Sequence, residues 1–364
     1  MKILYCNRTL YPFEGGADIS ALALLENLTK EHDVIAVYIG SKLENNKIKS
    51  YTQNIKQRRG VWINSYFLNK KFKKILVKIV EKEKPDLIIS QDYLIPTSVN
   101  VAKKFGIKCV IFLRNYFHLS IDGFRTYLPE HRKFSQTSDL FYKCQYIFYF
   151  YMVKEFQKAL KNADLVCSVS NYMRDITLKF CGVSSEVIRP FVFISKYKVK
   201  STGEYITYIN PDKHKGLDIF EKIANRLPDK TFLVVGKENY KINKPNIKIS
   251  GWINDMKEIY EKTRLVIIPS IWPDPCPRVG IEAIQSGIPI IVSKRGGLTE
   301  EANNSGLIIS NIYDIDEWVN AIKRFDNKIY YKLVSKNAKL SSYEFEAKKQ
   351  LEKFNLLLNK LFSK

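Results

Sequence analysis

The residues of this chain best placed to do chemistry are two carboxylates with a short run of backbone amides between them. Asp274 and Glu282 stand eight residues apart, on either side of Val279-Gly280-Ile281. Ahead of them the apolar run Leu265–Ile268 is stopped by Pro269, which predicts a strand buried on both faces. Val279 to Gln285 has helical character, with Glu282 in the first turn, and Gly287 is the usual residue just past a helix end. Ile288–Val292 predicts a second buried strand, with a flexible turn at Gly296-Gly297 behind it. A strand–loop–helix–strand crossover of this type binds ligands at the carboxyl ends of its strands. At the helix start the N–H groups around Val279, Gly280 and Ile281 have no intrahelical partner, and the helix dipole adds partial positive charge. That makes an anion site with a carboxylate on either side, suited to a phosphate flanked by hydroxyls. Gly280 would let the backbone approach the anion closely. Taken singly, Glu282 could instead stabilise a helix N-terminus and Asp274 a turn.

Two further loops share this chemistry. The first strand, Ile3–Cys6, is followed by a long loop ending in Gly15-Gly16 and an amphipathic helix over Ile19–Leu28, which makes a second anion cradle. The strand Tyr205–Ile209 runs into Asn210-Pro-Asp-Lys-His-Lys215-Gly216 ahead of another helix, where Lys215 is either a surface-turn lysine or a phosphate ligand.

Pro269-Ser270, the acid at 274, Gly280, Glu282-Ala283, Gly287, Pro289 and Gly296-Gly297 resemble the signature of the family 4 (group 1) retaining glycosyltransferases of GT-B fold. The resemblance covers almost the whole chain, strongest in the carboxyl half and weak across 40–160. It implies an α/β chain of two Rossmann-like parallel-sheet domains facing a cleft. Residues 1–195 would form the acceptor-side domain, with the last helix, 345–364, packing back on it. Residues 204–344 would bind the nucleotide-sugar donor. In that family two glutamates spaced E-x7-E bracket the donor. Asp274 stands at the first position, which reaches the donor sugar, and Glu282 at the second, which holds the ribose. Lys215 matches the lysine that grips the pyrophosphate, while Asn210 stands where the family usually has an arginine, leaving Lys213 or Arg278 as substitutes. Gly15 and Gly16 match the loop that closes over the donor phosphates, and Trp252 and Ile253 the segment over the nucleobase. Arg114 occupies the place where many members carry a histidine near the acceptor, and His118 lies four residues on. The implied catalytic set is Lys215, Asp274 and Glu282. Val279, Gly280, Ile281, Gly15, Gly16, Asn210, Trp252 and Ile253 complete the donor site, and Arg114 and His118 are the acceptor-side candidates.

Composition bounds the rest. A length of 364 residues predicts two domains or one large one. No apolar run approaches the ~20 residues of a membrane span. The opening Met1-Lys-Ile-Leu-Tyr-Cys reads as a strand rather than a signal peptide. Six scattered cysteines without a C-x-x-C pair and four histidines without ligand spacing predict a reduced cytosolic protein with no metal site. The net charge of +22 is either a compositional bias or a surface drawn to something anionic. Lys70, Lys71, Lys73, Lys74, Lys78, Lys82 and Lys84 alternate with Phe72, Ile75, Leu76, Ile79 and Val80 at helical spacing. That helix presents a solvated lysine face or meets an anionic membrane. Within a basic, aromatic stretch at 123–162, the run Tyr146–Val153 is either a buried helix or an acceptor- or membrane-contacting segment. The polar stretch Ser195–Gly203 reads as the interdomain linker.

The expected activity is transfer of a hexosyl group, with retention, from a UDP- or GDP-linked sugar to a glycan or lipid-linked acceptor, with no cofactor, metal or nucleic acid. An anionic membrane surface is a candidate partner. The alternative is a weak or inactive GT-B-like protein that binds an anionic membrane or nucleic acid. A Rossmann dehydrogenase is disfavoured because no G-x-G-x-x-G follows the first strand.

Overall fold

The structure is a computed structural model describing residues 1–13, 15–55, 61–120, 140–236, 244–251, 253 and 255–363. The chain divides into two units, residues 1–188 with 353–364, and residues 189–352. Each is a parallel sheet interleaved with helices, the Rossmann-like build expected of alternating strands and helices.

The strands of the first unit are β1 (Lys2–Cys6), β2 (Asp33–Ile39), β3 (Ile48–Gln53), β4 (Leu87–Gln91), β5 (Lys108–Leu113), β6 (Leu165–Ser168) and β7 (Glu186–Val187). They pair in the order β3-β2-β1-β4-β5-β6-β7, all parallel. The central strands are apolar throughout because both faces are covered, and Leu4, Ile35, Ile88 and Val110 are fully buried. The order reverses between β1 and β4, and crevices for ligands form at the carboxyl ends of such a pair. The helices are α1 (Gly16–Leu28), α2 (Val61–Glu83), α3 (Ile95–Phe105), α4 (Leu140–Asn162) and α5 (Asn171–Cys181). The aromatic run lies within α4, with one side buried and the other exposed. Tyr146, Tyr149, Met152 and Val153 pack with Trp62 of α2 in a buried cluster, while Ile147, Phe150 and Tyr151 face outward. Residues 121–139 of that stretch lie outside the described residues, as do Lys56, Arg58 and Arg59.

The second unit holds β8 (Tyr205–Ile209), β9 (Phe232–Val235), β10 (Ile247–Ser250), β11 (Thr263–Ile268), β12 (Ile290–Ser293) and β13 (Gly306–Ile309). Their order is β10-β9-β8-β11-β12-β13, with the reversal between β8 and β11. Its helices are α6 (Ile194–Tyr197), α7 (Leu217–Arg226), α8 (Lys257–Lys262), α9 (Arg278–Gln285), α10 (Leu298–Ala302), α11 (Ile315–Arg324) and α12 (Lys328–Ser342). Its core is built on Tyr208, Phe220, Phe232, Trp318 and Phe325. The last helix, α13 (Ala347–Phe362), begins in this unit and ends in the first, where the Phe354 ring meets Phe112.

The polar run read as a linker is not free chain. Val199 N–H donates to Ser286 Oγ at 3.0 Å, Ser201 Oγ donates to the Thr263 carbonyl, and the Thr202 and Gly203 amides donate to the Glu261 carbonyl. These bonds tie the run into the second unit, whose first residue is Arg189.

Candidate active site

Strand reversal in the second unit brings the loop after β8 against the loop after β11. The His214 carbonyl accepts from both the Ile271 and Trp272 amides at 3.0 Å. Gly216 has φ +84, and a Cβ there would lie 1.9 Å from the Pro269 carbonyl oxygen. Only glycine satisfies both conditions. Asn210 also has a left-handed backbone, φ +56, a conformation that asparagine tolerates better than arginine. The local backbone thus supplies a physical reason for the departure from arginine. Across the junction Lys215 Nζ contacts Asp274 Oδ2, so the expected phosphate lysine and the first carboxylate form an ion pair. Asp274 is held from behind by the Gly296-Gly297 turn. Gly297 N–H donates to its carbonyl at 2.7 Å, and a Cβ at Gly296 would lie 2.3 Å from the same oxygen.

The helix that follows Asp274 starts one residue earlier than its apolar spacing suggests. Pro277 caps α9, so the first-turn amides without an intrahelical carbonyl are those of Arg278, Val279 and Gly280. Ile281, expected among them, falls one place further in and is fully buried. Glu282, expected in the first turn, lies in the second, and its carboxylate is already engaged. Oε1 accepts from Arg278 Nε at 3.1 Å and lies 3.0 Å from Arg278 Nη2, while Oε2 accepts from Tyr260 OH at 2.9 Å. Arg278 in turn donates to Tyr197 OH at 2.6 Å. Burial pushes the Glu282 carboxyl up, while Arg278, Tyr260 and Tyr197 draw it back.

Gly280 also has a close neighbour within the protein. A Cβ at 280 would lie 2.1 Å from Glu301 Oε2, so the missing side chain makes room for a carboxyl of the protein itself. Glu301 is fully buried, and its pKa is pushed well up, first by burial and then by the charge of Asp274. Both causes disfavour its charged form beside α9. Sequence reading named Arg278 only as a substitute cation for the pyrophosphate and missed Tyr197, Tyr260 and Glu301. The i, i+4 spacing of Arg278 and Glu282 was the one visible signal.

The remaining candidates are scattered. Gly15 precedes α1 with an extended backbone, φ −175, and no atom lies within 4 Å of a Cβ built on it, so the protein's own packing does not demand glycine there. Gly16 is the first residue of α1. Ile253 is half-buried, and Trp252 lies outside the described residues. Arg114 follows β5, its Nη1 donating to Ser20 Oγ at 3.0 Å and its Nε to Gln91 Oε1 at 3.2 Å. His118 is walled in by rings, with Trp62 at 5.0 Å, Tyr93 at 4.8 Å and a stacked Phe156 at 4.8 Å. Burial draws its pKa down to about 3, which keeps it neutral and away from acid–base work at ordinary pH.

Residues 14–195 match Glycosyltransferase Family 4, and residues 205–327 match the glycosyl transferases group 1. The chain belongs to this family of transferases and has its GT-B fold. It is 24% identical over 87% of its length to an uncharacterized 42.6 kDa protein in the cps region of Klebsiella pneumoniae, covering 90% of that protein. Over 32% of its length it is 30% identical to the UDP-Gal:alpha-D-GlcNAc-diphosphoundecaprenol alpha-1,3-galactosyltransferase of Escherichia coli, covering 33% of that enzyme. Among solved structures it is similar to Anabaena HepE in complex with UDP-glucose, with a TM-score of 0.73 and 16% identity over 99% of this chain and 100% of that one.

Proposed function

We propose that this transferase moves a hexosyl group, with retention of configuration, from a UDP-linked sugar to a lipid-linked glycan during synthesis of a cell-surface polysaccharide. The observation that carries the reading is the junction after β8 and β11, where Lys215 and Asp274 meet ahead of the open amides of α9. Lys215 and the helix N-terminus place positive potential where a nucleoside diphosphate develops charge on leaving. Asp274 faces the sugar and Glu282 the ribose. UDP is favoured over GDP by the galactosyltransferase and HepE likenesses, and the lipid-linked acceptor by the galactosyltransferase. The chemistry invokes no metal. A thermal-shift panel of UDP-, GDP- and ADP-sugars tests the donor. A ligand at 100-fold its dissociation constant adds about 2.7 kcal/mol, so a UDP-sugar should raise the melting temperature most. No shift with any of the three would remove the donor assignment.

The site of work in this reading is the cytoplasmic face of an anionic membrane. Among the described residues no helix is long and apolar enough to cross a membrane. The surface of α2 exposes Lys70, Lys71, Lys73, Lys74 and Lys78, and Lys70 Nζ lies 4.6 Å above the Tyr66 ring. Tyr66 in turn meets Tyr151 of α4 at 5.4 Å, beside the exposed Ile147 and Phe150. Lysines next to outward aromatics suit an interface of headgroups and acyl chains, each lysine adding roughly 1 kcal/mol. Wild type should co-sediment with anionic liposomes at low salt and be released at high salt. A Lys70/Lys71/Lys73/Lys74 to Glu variant should stay in solution. Equal recovery of wild type with neutral and anionic liposomes would mean that the charge is compositional.

A further inference from the structure

The helix α12 carries two apolar faces, and the fold uses one of them. Val334, Ala338 and Ser342 are buried, and Val334 joins the core of the second unit with Tyr330 and Tyr331 packed against it. Ser335 Oγ donates to the Gly287 carbonyl at 2.6 Å, which ties the same face to the end of α9. Asn327 caps the start, its Oδ1 accepting from the Ile329 and Tyr330 amides at 2.9 and 3.0 Å. On the opposite side Ile329, Leu333, Leu340 and, directly after the helix, Tyr343 are 81%, 55%, 61% and 60% exposed. Positions 329, 333, 336, 340 and 343 step by four, three, four and three, the interval of a coiled-coil seam. Single exposed apolar residues are ordinary on a surface, whereas a row of them in register on one helix marks an interaction.

The charges on this face select its occupant. Lys336 fills the middle place of the seam, and Lys332 and Lys339 each stand directly before a seam leucine, on its flank. All three are exposed, and among the described residues no ion pair reaches them. The helix contains no acid, and the acids on either side of it, Asp326 and Glu344, are paired with Lys230 and Lys349 at 2.8 and 2.6 Å. A second copy in register would set Lys336 against Lys336, parallel or antiparallel, because it is the middle layer of the seam. A lipid surface buries the centre of an apolar face most deeply and takes lysines at the edges, so it too disfavours Lys336. A helix with its own apolar seam and acids opposite Lys332, Lys336 and Lys339 satisfies every position.

We propose that the outer face of α12 docks an acidic amphipathic helix of a partner protein, packed as a short two-stranded coiled coil. The apolar seam supplies the buried area, and the three lysines choose the partner and fix its register. The inference goes beyond the donor and acceptor readings and stands without them. It adds a place where the transferase is held by another protein.

The test measures anisotropy of fluorescein-labelled peptides against the full chain. The acidic peptide repeats heptads with leucine at a and d, glutamate at e and g, and one glutamate in the middle of the seam. Its like charges keep it from pairing with itself. The controls are a scrambled peptide of the same composition and a peptide with lysine in place of every glutamate. The acidic peptide should bind wild type about tenfold more tightly than the scrambled one, which shares its charge but not its seam. Leu333→Ser/Leu340→Ser changes two exposed positions, so it should melt as wild type does and lose about tenfold in affinity for the acidic peptide. Lys336→Glu should weaken the acidic peptide by about tenfold and favour the lysine peptide instead. No binding of the acidic peptide, equal binding of the scrambled one, or equal binding by the double-serine variant would overturn the proposal. A wild-type dimer in sedimentation velocity that the double-serine variant loses would overturn it in favour of a second copy. Co-sedimentation with anionic liposomes that the same variant loses would overturn it in favour of lipid.

Discussion

Lys215→Ala is expected to lower turnover of the nucleotide-sugar by about 10²–10³, the usual loss when one charge-stabilising donor is removed from a leaving group. The ion pair with Asp274 places the effect at the upper end of that range. Without Lys215 the Asp274 carboxylate, whose side chain is 10% exposed, stands uncompensated beside the incoming diphosphate. Neutralising it as well, in Lys215→Ala/Asp274→Asn, should recover part of the loss, and the two changes should not be additive because the groups touch. Arg278 is a poor substitute cation because its guanidinium is committed to Glu282 and Tyr197. Lys213 is exposed and free of that constraint. A Lys215→Ala enzyme within twofold of wild type, by initial rates at saturating donor, would show that Lys213 or another cation holds the phosphates.

The parts legible in the sequence were those set by short-range pattern. The buried strands Tyr205–Ile209 and Leu113's strand showed as apolar runs, and Gly216 and Gly296 showed as punctuation whose cause, a close backbone approach, the structure supplies. The two edge strands of the first sheet were not legible. Ile48–Gln53 is mostly polar because one side of it meets no partner strand, and Glu186–Val187 is too short to show any alternation. The helix that carries the site was placed one residue late because Arg278 carries no apolar signal and Pro277 at the cap hides the start.

Meanings assigned to single residues depend on neighbours that no local pattern shows. Glycine at 280 announces close approach but not by what, and its neighbour proved to be Glu301, twenty-one positions along the chain. His118 was attractive as an ionisable residue near a strand end. Whether it can ionise depends on Trp62, Tyr93 and Phe156, which no local pattern brings together. The same holds for Glu282, whose partners Tyr197 and Tyr260 come from two other helices.

Those partners change what removing Glu282 should do. From the family role alone, Glu282→Ala would weaken donor binding and leave the fold intact. In the structure it would strand Arg278, whose side chain is 9% exposed, and breaking one side of a buried pair costs about 3–5 kcal/mol. The variant should therefore melt lower by on the order of 10 °C as well as bind donor poorly. The two effects separate in a double variant. Arg278→Met/Glu282→Ala removes both charges, so most of the melting temperature should return, while donor affinity should not, because no carboxylate remains for the ribose. Arg278 takes both of its contacts on Oε1, Tyr260 donates to Oε2, and Tyr197 also draws on the carboxylate, so a ribose hydroxyl would have to share it with them. Calorimetry of a UDP-sugar against the double variant decides the matter. Recovery of donor affinity together with stability would show that Glu282 acts only by neutralising Arg278, and the ribose would then need another partner.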